Sequence, residues 1–264
     1  MKINQLFNVK ELSVLITGSN GNIGSYLVKI LLQNNAIVFG LDRQKEGKIL
    51  HKNFTYFQCD ITNKNKLINI KNKILKKNKA VTVLINNAAI DAPPDVSSKN
   101  SGKLESYSEV EFDHYINTNL KGTFLVSQIF GSEMAKNKNG SIINISSIYG
   151  MLSPDQSIYE YKNANGREFF KPAGYSISKG SIYNMTRYMA EYWAKKNVRV
   201  NTLTLSGIFN NQDKDFIKNY TNRIPMGRMG TLDDIIGPIV FLSTSASKYM
   251  TGSNLVVDGG WTII

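Results

Sequence analysis

Leu12-Ser-Val-Leu-Ile-Thr17-Gly18-Ser-Asn-Gly21-Asn-Ile-Gly24 is an apolar run of strand type that breaks into a glycine-rich turn. Ile23, Leu27, Ile30 and Leu31 follow at the spacing of one helix face. The order is strand, phosphate loop, helix. Glycines let a backbone turn sharply and approach a pyrophosphate, while the helix N-terminus adds amide donors and positive potential. The next apolar run, 36–41, ends at Asp42. An acidic residue about 20 positions past the glycines is where a ribose diol is held. A glycine turn alone reads equally as an ordinary tight turn. In register with the strand, the helix and Asp42 it predicts a dinucleotide-binding unit.

The same alternation continues along the chain. Strands are expected near 12–17, 36–41, 54–59, 81–86, 140–146, 198–205 and 254–257, with long helices near 108–136 and 174–196. Strands alternating with helices give a parallel sheet covered on both faces, here a doubly wound α/β Rossmann fold of seven strands. No proline-, serine- or glycine-rich linker divides residues 1–264 and no internal repeat is visible, so one domain is expected. Segment 91–107 reads as a mobile loop and 208–228 as a lid. Both fall at the carboxyl edge, where open α/β sheets bind ligands.

Tyr175-Ser-Ile-Ser-Lys179 places a phenol and an ammonium four residues apart, on one helix face. A phenol ordinarily titrates near ~10, and a neighbouring cation lowers that value. Such a tyrosine is a usable general acid or base. Ser147 ends an apolar strand, where a hydroxyl can stabilise charge developing on a substrate oxygen. Singly, each has a plain reading: Ser147 as a strand-ending hydroxyl, Asn119 as a helix residue bonded to a backbone carbonyl, Lys179 as one more solvated lysine.

In order, these motifs resemble the short-chain dehydrogenase/reductase family over residues 10–262. Thr17-Gly18 and Gly24 match its cofactor loop, and Asp60-Ile61 the acidic position after the third strand. Asn86-Asn87-Ala88-Ala89 resembles the segment ending the fourth strand. Asn117-Thr-Asn119-Leu-Lys-Gly, Ser147, Tyr175 and Lys179 match its catalytic tetrad. Arg199-Val-Asn201 and Met250-Thr-Gly252…Val257-Asp258-Gly-Gly260 match late motifs. The resemblance implies hydride transfer between nicotinamide and a secondary alcohol or ketone. Tyr175 would move the proton and Ser147 would hold the oxygen. Lys179 would lower the tyrosine pKa and hold the nicotinamide ribose, and Asn119 would hold a water linking Lys179 to solvent. It implies cofactor contacts at Gly18, Asn20, Asn22, Ile23, Gly24, Asp42, Arg43, Asp60 and Ile61. Further contacts are implied at Asn87, Ala88, Ala89, Tyr175, Lys179, Gly207 and Ile208. Asp42 would bond the adenosine diol and repel a 2′-phosphate, which favours NAD over NADP; Arg43 beside it tempers that preference.

The chain departs from the family pattern in places. Glycines at 18, 21 and 24, with Asn22 between, are spaced as in the longer, sugar-nucleotide branch. Ala89 stands for a glycine, and Ser206 precedes Gly207 where proline is usual. Ser147 and Tyr175 are 28 residues apart, wider than the family's usual spacing. The extra segment, 153–173, is polar with interleaved aromatics and reads as a substrate-shaping loop, or else as a surface elaboration or oligomer contact. Phe209-Asn-Asn-Gln-Asp-Lys-Asp-Phe216 and Phe170-Lys-Pro-Ala-Gly-Tyr175 are similar to a subgroup associated with flagellin modification and nonulosonic acid synthesis. That similarity implies a carbohydrate substrate. Asn210, Asn211 and Gln212 suit sugar hydroxyls, and read equally as a capping loop. Alternatives are a 3-oxoacyl thioester or small polyol, or a cofactor-binding partner protein with little turnover. Family membership implies a homo-oligomer, a dimer or tetramer.

Composition narrows the field further. A net charge of +12 would draw an anionic substrate, or else reflects solvated lysines such as those in 62–79. No nucleic-acid module is recognised, so nucleic-acid binding is not expected. The single cysteine, Cys59, excludes an internal disulfide and suits a reducing cytoplasm. With His51 and His114 the only histidines, no metal site is expected. No apolar run approaches the ~18 residues that span a membrane.

Overall fold

The computed structural model describes residues 2–10, 12–76, 80–91, 102–165 and 168–264. After a short N-terminal helix, α1 (Ile3–Leu6), the chain runs β1 (Ser13–Thr17), α2 (Asn22–Gln33), β2 (Ile37–Asp42), β3 (Phe54–Gln58), α3 (Lys64–Leu75) and β4 (Val83–Asn86). There follow α4 (Glu109–Tyr115), a π-helical stretch (Ile116–Gly122) and α5 (Thr123–Lys136). β5 (Gly140–Ser147), α6 (Ile148–Met151), α7 (Ala173–Ala194) and β6 (Val198–Leu205) come next, then α8 (Lys214–Thr221), α9 (Ile236–Ser243) and β7 (Asn254–Val257).

The seven strands form one parallel sheet in the order β3-β2-β1-β4-β5-β6-β7. The expected strands are all present, each within two residues of its predicted bounds. Alternation along β1 explains the two-sided burial. Leu15 faces a core with Leu67 and Ile70 of α3, Phe130 of α5 and Trp193 of α7. Val14 and Ile16 face the opposite core with Leu27 and Leu31 of α2 and Ile239 of α9. The chain winds outward from β1 to β3, then crosses back to start β4 on β1's other side, so a crevice opens between the ends of β1 and β4. α3 buries Leu67, Ile70 and Ile74 and turns Lys64, Lys66, Lys73 and Lys76 to solvent, which favours the solvated reading of these lysines. Lys77 and Lys79 lie outside the described residues, as does 92–101 of the expected loop.

The predicted helix over 108–136 differs in one respect. Its middle is wound as a π-helix around Asn119. A third apolar cluster sits above the strand ends, built from Tyr149, Tyr159, Phe169, Tyr175, Phe216 and Tyr220 among others. Among the described residues no helix is long and apolar enough to cross a membrane.

Candidate active site

A cleft of about 790 Å³ runs along the carboxyl ends of the strands. At its β1 end, Thr17 Oγ1 accepts the amides of Asn87 and Ala88, each at 3.0 Å. Asn87 Nδ2 returns a bond to the Thr17 carbonyl at 3.0 Å. The loop is thereby fixed to the end of β4. Gly18 takes φ +66°, and a Cβ there would lie 2.9 Å from the Ala88 Cα. Gly21 caps α2, whose first turn carries no acidic residue, so its amides face the cleft unopposed. Gly18, Gly21, Asn22 and Ile23 line the cleft. This donor set fits a pyrophosphate.

Asp42, ending β2, accepts the Asn20 amide at 3.0 Å and the Gln44 amide at 3.1 Å, one on each carboxylate oxygen. The carboxylate is held at the cleft wall, with acceptor capacity left for a diol. Arg43, Asp60, Ile61, Asn87, Ala88 and Ala89 also line it. Asp60 is fixed by Thr62, which donates its amide at 2.8 Å and its hydroxyl at 2.7 Å. Two expected cofactor residues stand elsewhere. The Asn20 side chain turns under the 43–48 loop, donating to the Glu46 carbonyl at 2.8 Å and accepting the Lys48 amide at 3.3 Å. The loop after β2 needs that internal brace, so Asn20 supports the wall without lining it. Gly24 lies behind the turn, where it admits the close approach of α2.

At the far end Ser147, Tyr175 and Lys179 converge. Ser147 closes β5, and its hydroxyl accepts the Tyr149 amide at 3.2 Å. Tyr175 lies in the first turn of α7, with Lys179 one turn on. The Lys179 ammonium donates to the Ile145 carbonyl at 3.0 Å, while Ser146 Oγ donates to the Lys179 carbonyl at 2.9 Å. Burial pushes the Tyr175 phenol well up; the Asp91 charge adds to this and the Ser147 side chain opposes it. Burial pulls Lys179 down to about 8, with Asp91 opposing. Asn119 is buried behind these groups. Its Oδ1 accepts the Ile90 amide at 2.8 Å, and its Nδ2 donates to the Ile90 carbonyl and the Ser178 hydroxyl. Both N–H donors of the expected water-holding residue are thus used by protein.

The wall opposite the strands comes from the 153–173 segment and α8. Tyr159 stacks on Phe216 with ring centroids 5.9 Å apart, and its hydroxyl meets that of Tyr149 at 3.2 Å. Asn219 Nδ2 donates to the Ile158 carbonyl at 3.2 Å, and Asp155 pairs with Arg223. Tyr220 accepts the Gly207 amide at 2.7 Å. Gly207 and Ile208 line the cleft where expected, together with Asn210 and Gln212. Gln212 also bonds the Asn210 amide and the Ile208 carbonyl, as a capping residue does. Sequence reasoning missed Asp91 and Lys171, which pair beside Tyr175. The one available signal was a lysine four residues ahead of that tyrosine.

A family model described as enoyl-(acyl carrier protein) reductase matches residues 18–262. A crystal structure of a short chain dehydrogenase from Leptospira borgpetersenii with bound NAD+ superposes with a TM-score of 0.86 at 35% identity, covering 99% of this chain and 97% of that one. The chain is a short-chain dehydrogenase/reductase. This dehydrogenase is 29% identical to the 2-dehydro-3-deoxy-D-gluconate 5-dehydrogenase of Bacillus subtilis, over 98% of each chain. It is 30% identical to the post-translational flagellin modification protein A of Campylobacter coli, over 94% of its own length and 97% of that protein's. The dehydrogenase is accordingly an NAD(P)-dependent oxidoreductase of CH–OH groups.

Proposed function

We propose that this enzyme interconverts a secondary alcohol and a ketone on a sugar, or a phosphate or nucleotide derivative of one, with NAD preferred to NADP. The observation that carries the reading is the convergence of Ser147, Tyr175 and Lys179 on one cleft, with Lys179 one helical turn from Tyr175. Bound nicotinamide supplies the hydride acceptor or donor. Tyr175 moves the proton at the substrate oxygen, and Ser147 donates a hydrogen bond to that oxygen as charge develops. Lys179 supplies positive charge behind Tyr175 and would hold the ribose of the cofactor. Asn119 locks the Ile90 turn against α7.

The doubly anchored Asp42 supports NAD, since its carboxylate would repel a 2′-phosphate. A carbohydrate is supported by a wall of tyrosine rings and hydroxyls with Asn210 and Gln212 at its rim, and by the sugar acid in the name of the Bacillus relative. The enzyme is proposed to work in the cytoplasm as a homo-oligomer, dimer or tetramer, as its family's members do.

The test is nicotinamide absorbance with NAD and NADH across free sugars, sugar acids, sugar phosphates and nucleotide sugars, wild type beside Tyr175→Phe. Turnover on one class, lowered about a hundredfold or more in the variant with NAD binding retained, supports the reading. Turnover only on 3-oxoacyl thioesters or simple polyols would overturn the carbohydrate assignment.

A further inference from the structure

Lys171 is a lysine in an unusual place. It lies just ahead of α7, and only 6% of it is exposed. Gln156 of the extra segment accepts its backbone amide at 2.9 Å, so the wide Ser147–Tyr175 spacing is what delivers it. Its ammonium pairs with Asp91, in the segment that follows β4, and stands 4.5 Å from the centroid of the Tyr175 ring.

We propose that Lys171 is a positioning residue that stabilises the phenolate form of Tyr175 through its ring face, as a second positive charge beside that of Lys179. The proposal rests on Tyr175 being the proton-transferring group of the preceding reading.

A cation over an aromatic face is attracted by the ring quadrupole, the more so when desolvated. It is attracted more strongly still once the ring carries a phenolate, because a full charge then replaces the quadrupole. Lys179 apart, the other groups described as facing Tyr175 do not supply that charge. Tyr115 of α4 presents its edge at 6.4 Å, Ser147 offers a neutral hydroxyl, and Tyr149 and Tyr220 are neutral phenols. Lys179, on α7 itself, spends one donor on the Ile145 carbonyl. Asp91 is the anion in the group, and its charge disfavours the phenolate. With Lys171 in place, the cation lies nearest the ring and Asp91 is compensated. Without it, the compensation that Lys171 gives the carboxylate is lost.

The test reads Tyr175 directly by NMR of ζ-carbon-labelled tyrosine in the full chain, its signal assigned by loss in Tyr175→Phe. No substrate is needed, so a silent sugar panel and a failure here are separate results. Asp91→Asn leaves the ammonium over the ring and is expected to lower the phenol midpoint by about one pH unit. Adding Lys171→Met in that background removes the ammonium with the carboxylate already neutral, so the change in midpoint reads Lys171 by itself. It is expected to raise the midpoint again by about one unit, while Lys171→Arg alone stays near wild type. A structural role for Lys171 would leave Asp91→Asn and the double variant with one midpoint. That result overturns the proposal, as does a phenol that stays protonated in Asp91→Asn wherever the chain is folded.

Discussion

A Cβ built on Gly24 would stand 2.1 Å from the Gly18 carbonyl oxygen. No side chain can be housed at that distance without moving either the turn or the first turn of α2. Gly24→Ala is therefore expected to weaken NAD binding by at least about tenfold, since the amides of the turn would leave their places. Gly21→Ala is the control, because its Cβ meets the same carbonyl at 3.3 Å and a small shift relieves it. Calorimetric titration of both variants with NAD checks this. Equal affinities would mean that the turn does not hold the cofactor.

Asp42 makes a prediction about cofactor choice. Its carboxylate is fixed by two backbone amides, so replacing it with alanine removes an oriented acceptor and a negative charge together. The kcat/KM for NAD should fall by roughly tenfold or more. That for NADP should fall less, or rise, because repulsion of a 2′-phosphate is relieved. A wild-type enzyme that uses both cofactors equally well would remove the basis of the argument.

Lys179 trades stability for function. It is buried, and its pKa falls from 10.5 to about 8. Below that value the lysine is charged in both folded and unfolded chains, and the folded state carries the full cost of desolvating it. As pH rises from about 8 to 10.5 the unfolded chain binds more protons, so stability climbs. Lys179→Met should then abolish turnover yet raise stability at neutral pH, by up to about 3 kcal/mol. The advantage should vanish as pH passes 10.5. Thermal melts at neutral and alkaline pH measure this. A variant less stable than wild type at neutral pH would contradict it.

The extra segment and α8 are joined by apolar contact more than by charge. Tyr159 is fully buried between Phe169 and Phe216, so Tyr159→Ala should cost about 3 kcal/mol and raise KM by loosening the wall. The Asp155–Arg223 pair is largely solvated, and Arg223→Ala should cost less than about 1 kcal/mol. Denaturant melts of the two variants should rank in that order. The reverse ranking would make the ion pair the main brace.

The strands were legible because each is an apolar run buried on both faces, a pattern that few other structures produce. Gly18, Ser147, Tyr175 and Lys179 were legible for a different reason. Their spacing to the ends of strands and the start of a helix is local, and the parallel sheet then brings those ends together. What escaped was non-local or stereochemical. Asp91 and Lys171 are 80 residues apart and meet only because the extra segment folds back over the cleft. Asn20 has the position of a cofactor residue, but the loop after β2 recruits its amide. The π-helical winding at Asn119 leaves no mark on apolar periodicity, since the residues on both sides keep helical spacing.

That winding has its own consequence. A π turn is an α-helix that holds one residue more than its spacing allows. Deleting one residue from Ile116–Gly122 would let 109–136 close into a continuous α-helix. Because the surplus residue is taken up inside the bulge, α4 and α5 would keep nearly their present phase, and the change would fall on the turn that carries Asn119. Asn119 would lose either Ile90 or Ser178. The surplus residue thus sets where this one side chain stands, so a deletion there would act like a substitution in the site itself.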